Sequence, residues 1–200
     1  MFPLGTVLFP SVFLPLHIFE PRYRTLARHC IDGDQEFGVV LIERGSEVGG
    51  DDVRTWVGTV ARIVEAAELD DGRWVLGTVG TRRIRVREWL PDDPYPRADV
   101  EDWADAELSA DAFDVYGAVI TRLRRVLALK AELAEPAVDA TIELSDDPAL
   151  GSFQVAAVAP IGPADQQRLL LAAGPSERLE MLGTLLIEES DYLAARLQMG

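Results

Sequence analysis

The sequence predicts an α+β fold, a β-rich first half of about six strands interrupted by one helix and followed by a bundle of helices. Two observations carry this. Short β-branched or alternating runs separated by turn residues recur as far as Trp103, with a single helix-period stripe among them. After the acidic stretch 104–108 the apolar period becomes helical and stays so to the end. The predicted division is therefore 1–104 for the β-subdomain and 105–200 for the helices.

The elements follow in order. Residues 4–8 read as a short apolar strand ended by Phe9-Pro10, and residues 12–16 as a second extended stretch containing Pro15. Pro21 suits a first helical position, and Tyr23, Leu26, Ala27 and Cys30 form the stripe of a helix that Gly33 ends. In residues 37–43, Val39, Val40, Leu41 and Ile42 leave no polar face, as in a central strand. Residues 55–69 make one long strand or two joined ones, and Asp70-Asp71-Gly72 signals a hairpin into residues 74–79. Gly80 separates that strand from residues 82–89, where Arg83, Arg85 and Arg87 alternate with Ile84 and Val86 and share one face. A proline-rich break at 91–96 precedes a last strand at 98–103. Strands this short and numerous suggest a barrel or a sandwich.

In the second half, Ser109 is placed to cap a long helix with apolar positions Phe113, Tyr116, Val119, Ile120, Leu123, Val126 and Leu127. Asp147-Pro148 combines a capping side chain with a proline at the first helical position, opening a helix that runs to Pro160. A short helix at 165–172 and a final one from Ser176, with Leu179, Leu182, Leu186, Leu193 and Leu197, complete the bundle.

Composition narrows the function. Of 200 residues 48% are hydrophobic and 26% charged, and the formal net charge is −15, with Lys130 the only lysine. A chain this negative repels phosphate backbones and anionic bilayers, which argues against nucleic-acid and membrane partners. One cysteine, Cys30, cannot form an internal disulfide, as expected in a reducing cytoplasm. The N-terminus lacks a basic leader region, Pro3, Pro10 and Pro15 interrupt its apolar run, and no stretch approaches the roughly 18 apolar residues of a membrane span.

No catalytic constellation emerges. A phosphate-binding glycine loop with its lysine is absent, and Gly77-Thr78-Val79-Gly80 lies in a strand. Lys130, the only amine for a Ser–Lys dyad, ends an amphipathic helix where a cation complements the terminal carbonyls. His29 and Cys30 are adjacent in a helix and diverge by about 100°. His17, His29 and Cys30 lack a fourth ligand and a metal-site spacing. Asp51-Asp52, Asp70-Asp71, Asp92-Asp93 and Asp146-Asp147 sit at turns or caps, where aspartate has a structural role. The expectation is a protein that is not an enzyme and uses no metal or cofactor.

Phe2-Pro3-Leu4-Gly5-Thr6-Val7-Leu8-Phe9-Pro10, followed by Leu14-Pro15-Leu16-His17-Ile18-Phe19-Glu20-Pro21-Arg22-Tyr23-Arg24, resembles the opening signature of the Lon N-terminal domain. Gly58-Thr59-Val60-Ala61-Arg62-Ile63, Asp71-Gly72-Arg73, Gly80-Thr81-Arg82-Arg83, residues 144–148 and residues 178–186 are similar to later blocks of that family. The resemblance implies a PUA-like β-barrel followed by a helical bundle. It implies a free-standing domain without the ATPase and serine–lysine protease modules of Lon. Its implied role is non-catalytic recognition of unfolded or damaged polypeptides, as an adaptor or holdase, with a separate protease or ATPase complex as a further partner.

Such recognition requires an exposed apolar patch. Phe9, Pro10, Val12 and Phe13 are candidates because prolines keep their segment out of regular pairing, and Trp74 beside the hairpin is a second candidate. The alternative for Phe9 and Phe13 is to plug the barrel, Phe13 being the stronger candidate for the core. The competing function is RNA or small-ligand binding by the barrel, for which Arg83, Arg85 and Arg87 supply the one concentrated positive row.

Overall fold

A computed structural model describes residues 1–45 and 52–199, in two compact units, Met1–Ala104 and Asp105–Gly200. The first unit contains β1 (Phe2–Leu4), β2 (Phe13–Ile18), α1 (Pro21–Asp32), β3 (Glu36–Arg44), β4 (Val53–Glu68), β5 (Trp74–Leu90) and β6 (Arg97–Asp102). Its mixed six-stranded sheet runs β1-β3-β4-β5-β2, with β6 also on β5. One edge of β5 pairs along β4, while the other carries β2 on residues 74–79 and β6 on residues 84–90.

Three expectations for this unit need correction. The first strand is Phe2–Leu4, not residues 4–8, because the chain leaves the sheet at Gly5 and returns through Ser11, which has φ 61°. Gly80 does not divide β5. It lies within one continuous strand, where a Cβ would collide with the Phe9 carbonyl, so glycine is there to admit a close crossing of backbone and not to end a strand. The expected barrel is not closed: β1 and β2 end the strand path, and neither pairs with the other. Each carries a proline, Pro3 or Pro15, which has no amide to donate to a closing ladder.

The core of this unit joins the inner sides of β1 and β2 to α1. Phe2, Leu4, Leu16 and Ile18 are buried with Tyr23, Leu26, Ala27 and Cys30, the stripe expected for the helix. The Phe2 and Tyr23 ring centroids are 4.3 Å apart.

The second unit contains α2 (Ala112–Glu132), α3 (Pro148–Val158), α4 (Pro163–Leu171) and α5 (Pro175–Met199). Tyr116, Val119, Leu123, Val126 and Leu127 form the buried face of α2, whereas Phe113 is 65% exposed. Ser109 is not the α2 cap; Asp111 occupies that position and accepts a hydrogen bond from the Ser109 hydroxyl at 2.6 Å. At α3 the Asp147 carboxylate accepts from the Ala149 amide at 3.0 Å, as an Asp-Pro start requires. Arg178 on α5 has no solvent exposure. Its guanidinium lies 3.5 Å from the Phe153 ring centroid and donates to Ser152 Oγ at 2.8 Å and Asp105 Oδ1 at 2.9 Å. Among the described residues no helix is long and apolar enough to cross a membrane.

Candidate functional site

Alternation along β2 builds the site. Phe13, Pro15 and His17 point outward while Leu16 and Ile18 point into the core. Register places Phe13 opposite Val79, Pro15 opposite Gly77 and His17 opposite Val75. The Phe13 ring lies across Gly77, with Cε2 only 3.2 Å from where a Cβ would stand, so the bare glycine is what lets the ring rest flat on the sheet. Phe19 continues the row beyond the strand and meets His17 edge-on, ring centroids 6.5 Å apart. Phe13 is 55% exposed, Phe19 52% and Val75 43%, which makes the outer side of β2 an apolar surface in contact with solvent.

A groove of about 170 Å³ adjoins this face at the unclosed seam of the sheet. Phe2 and Leu4 of β1 form one wall, Pro15, Leu16 and Ile18 of β2 the other, with Tyr23 and Phe19 completing it.

The candidate residues divide differently from expectation. Phe9 has no exposure and Pro10 is buried. The segment is stitched to the sheet: Ser11 N donates to Gly80 O at 2.8 Å, Gly80 N to Val12 O at 2.9 Å, and Thr59 Oγ1 to Leu8 O at 2.6 Å. Phe9 therefore takes the core position for which Phe13 had been the stronger candidate, and Phe13 is outside. Val12 and Trp74 are half-buried against the core, and the buried Trp74 Nε1 has no hydrogen-bond partner among the described residues. Phe19, His17 and Val75 were not among the candidates. The period-two row Phe13, Pro15, His17, Phe19 was the signal that could have found the first two, while Val75 joins them only through its register opposite His17.

The arginine row is engaged elsewhere. Arg83 is 3% exposed. Its guanidinium lies 4.5 Å from the Trp103 ring centroid, and that of Arg85 lies 4.3 Å from the same ring. Arg87 donates to Glu101 at 3.0 Å, and neighbouring Arg82 bridges Asp102 at 2.9 Å and Glu36 at 2.7 Å. Each lies against an aromatic face or a carboxylate; Arg83 is buried, while Arg85 and Arg87 keep exposed guanidiniums flanked by Trp103 and Glu101.

Groups with nucleophilic potential are quiet. Burial pushes the Cys30 thiol up to about 11. His29 Nδ1 meets Tyr95 Oη at 2.9 Å, and Lys130 Nζ donates to Glu135 at 2.9 Å. Asp52 is held by Arg54 at 2.7 Å, while its sequence neighbour Asp51 lies outside the described residues. Among the described residues no group of three His, Cys, Asp or Glu side chains is placed to hold a metal ion.

A family model described as the ATP-dependent protease La (LON) substrate-binding domain matches residues 1–188. Lon protease 2 of Herpetosiphon aurantiacus is 27% identical over 193 residues, which are 95% of this chain and 23% of that protein. A Lon protease of Desulfovibrio desulfuricans is 29% identical over 197 residues, 96% of this chain and 22% of that protein. The chain thus spans about a quarter of the length of these relatives. A Lon N-terminal domain protein from Xanthomonas campestris has a crystal structure with a TM-score of 0.65 at 31% identity, covering 90% of this chain and 94% of that one. The N-terminal domain of a Mycobacterium avium complex Lon protease has a TM-score of 0.66 at 15% identity, covering 94% of this chain and 96% of that one, which supports the fold alone.

Proposed function

The chain belongs to the family of the ATP-dependent protease La (LON) substrate-binding domain, and from that premise we propose that it captures unfolded or damaged polypeptides on the outer face of β2. The observation that carries this reading is the exposed row of Phe13, Phe19 and Val75, with the Phe13 ring laid on Gly77 and an apolar groove beside it. An unfolded chain presents apolar side chains that a compact protein hides, so a receptor for it needs exposed apolar area more than shaped polar contacts. Recognition of this kind serves an adaptor that delivers clients to a Lon-type protease or ATPase, or a holdase that keeps them apart. The single free thiol of Cys30 suits the cytoplasmic setting that goes with either role. RNA binding has no comparable support, because its arginine row is occupied.

Burying one large apolar side chain contributes roughly 1.5–3 kcal/mol, of which a flexible client recovers only part after ordering. Phe13→Ser with Phe19→Ser is expected to raise the Kd for a reduced, carboxymethylated model protein about tenfold, near 1.4 kcal/mol. Fluorescence anisotropy measures the affinity and a thermal melt confirms the fold. An unchanged Kd in the folded double variant removes this face from consideration.

A further inference from the structure

We infer that the seam between β1 and β2 takes the client's main chain as an added β-strand on the free edge of β2, with one aromatic side chain seated in the groove; this rests on the polypeptide-binding reading above. The edge follows from Pro15. A proline has no amide, so Pro15 and Gly77 form a non-hydrogen-bonded pair of the β2–β5 ladder. The bond from Gly80 N to Val12 O fixes the same phase. Leu14, Leu16 and Ile18 then turn their main-chain groups toward β5, whereas Phe13, Pro15 and His17 turn theirs toward the seam. That leaves the amides of Phe13 and His17 and three carbonyls facing outward, with no partner among the described residues. β1, across the seam, pairs with β3 on its other side and offers only three residues there, the middle one Pro3 without an amide, so β2 is the longer free edge. An unpaired edge is a template for an incoming extended chain.

The groove limits what enters. At about 170 Å³ it is close to the cavity of about 150 Å³ that holds one benzene, so it seats a single phenyl-sized group. Glu20, the one acidic residue among those lining it, already accepts from Arg22 Nε at 3.0 Å, so the charge that selects an occupant is that of the chain as a whole, −15. A second copy of this chain, with the same charge, is a poor occupant. The complementary one is an extended segment with a central aromatic residue and basic flanks.

The test uses the full chain and a fluorescent peptide of alternating pattern, one central phenylalanine and lysine at both ends, read by anisotropy. Backbone N-methylation on one set of alternate residues is expected to weaken binding at least tenfold, and on the other set to leave it within about twofold, because only one edge of a strand is paired. Equal effects of the two sets would overturn strand addition. Replacing the flanking lysines with glutamates should weaken binding severalfold at low salt and lose that effect at high salt; equal affinity at low salt argues against the basic occupant. His17→Pro deletes a seam-facing amide without touching the β5 ladder, and should weaken the peptide about tenfold with an unchanged melting temperature. If the unmethylated peptide fails while denatured protein still binds, strand addition falls and the apolar face stands; if neither binds, both fall. A dimer in sedimentation that the peptide dissociates would assign the seam to a second copy and overturn the proposal.

Discussion

At the scale of single residues, the five positions from Phe9 to Phe13 cross from core to surface. Phe9→Ala removes a ring with no exposure and is expected to cost about 3–5 kcal/mol, whereas Phe13→Ala should leave stability within about 0.5 kcal/mol. Urea denaturation of the two variants measures the contrast, and similar midpoints would contradict the assignment. Arg178 gives a second expectation. Arg178→Met removes the guanidinium that donates to the buried Ser152 hydroxyl and to the Asp105 carboxylate, and loss of such a partner costs roughly 3–5 kcal/mol. A melting temperature equal to wild type would show that the guanidinium is dispensable. The inside and outside of residues 9–13 were not legible in the sequence. Ser11 at φ 61° and its bond to Gly80 reverse the chain locally, and nothing in residue type or period announces a contact 69 positions away.

At the scale of elements, legibility tracks regular period. The α1 stripe, the α2 stripe from Tyr116 onward and the Asp147-Pro148 cap follow from local spacing and capping chemistry and hold in the structure, whereas Phe113, placed on the same stripe, faces solvent. The unclosed sheet was hidden because closure depends on which edges meet, a non-local property that alternation does not encode. Leu123 has no exposure on the buried face of α2, and Leu123→Asp is expected to cost roughly 3 kcal/mol or more by placing an unpaired charge there. A wild-type melting curve would show that this face is not core. Glu36, at the start of β3, ties that strand to two others by accepting from Arg82 at 2.7 Å and Arg62 at 2.6 Å. The Arg82 hydrogen bond, seconded by Arg62, holds its carboxyl below the usual carboxylate range. A depressed folded pKa contributes stability above the ordinary glutamate value of about 4.3, and that contribution is lost as pH falls through the folded value. Glu36→Gln should therefore lose stability at pH 7 and show a shallower acid decline than wild type in melts from pH 7 to 3. Parallel profiles would rule the carboxylate out.

At the scale of the whole molecule, a net charge of −15 makes the folded chain repel itself. Added salt screens that repulsion, so raising sodium chloride from low to moderate concentration should raise the melting temperature by about 2–4 °C, the equivalent of roughly 1 kcal/mol for a chain of this size. A fall instead would mean that the surface ion pairs outweigh the net charge. The two ends of the sheet have one more consequence. Pro3 and Pro15 interrupt the hydrogen-bonding rows of β1 and β2, so neither edge can pass a continuous ladder to a further copy. Stacking into fibrils requires such uninterrupted propagation from molecule to molecule. Replacing Pro15 with a β-branched residue would restore the missing donor, and concentrated solutions of that variant should then seed amyloid that the parent sequence resists.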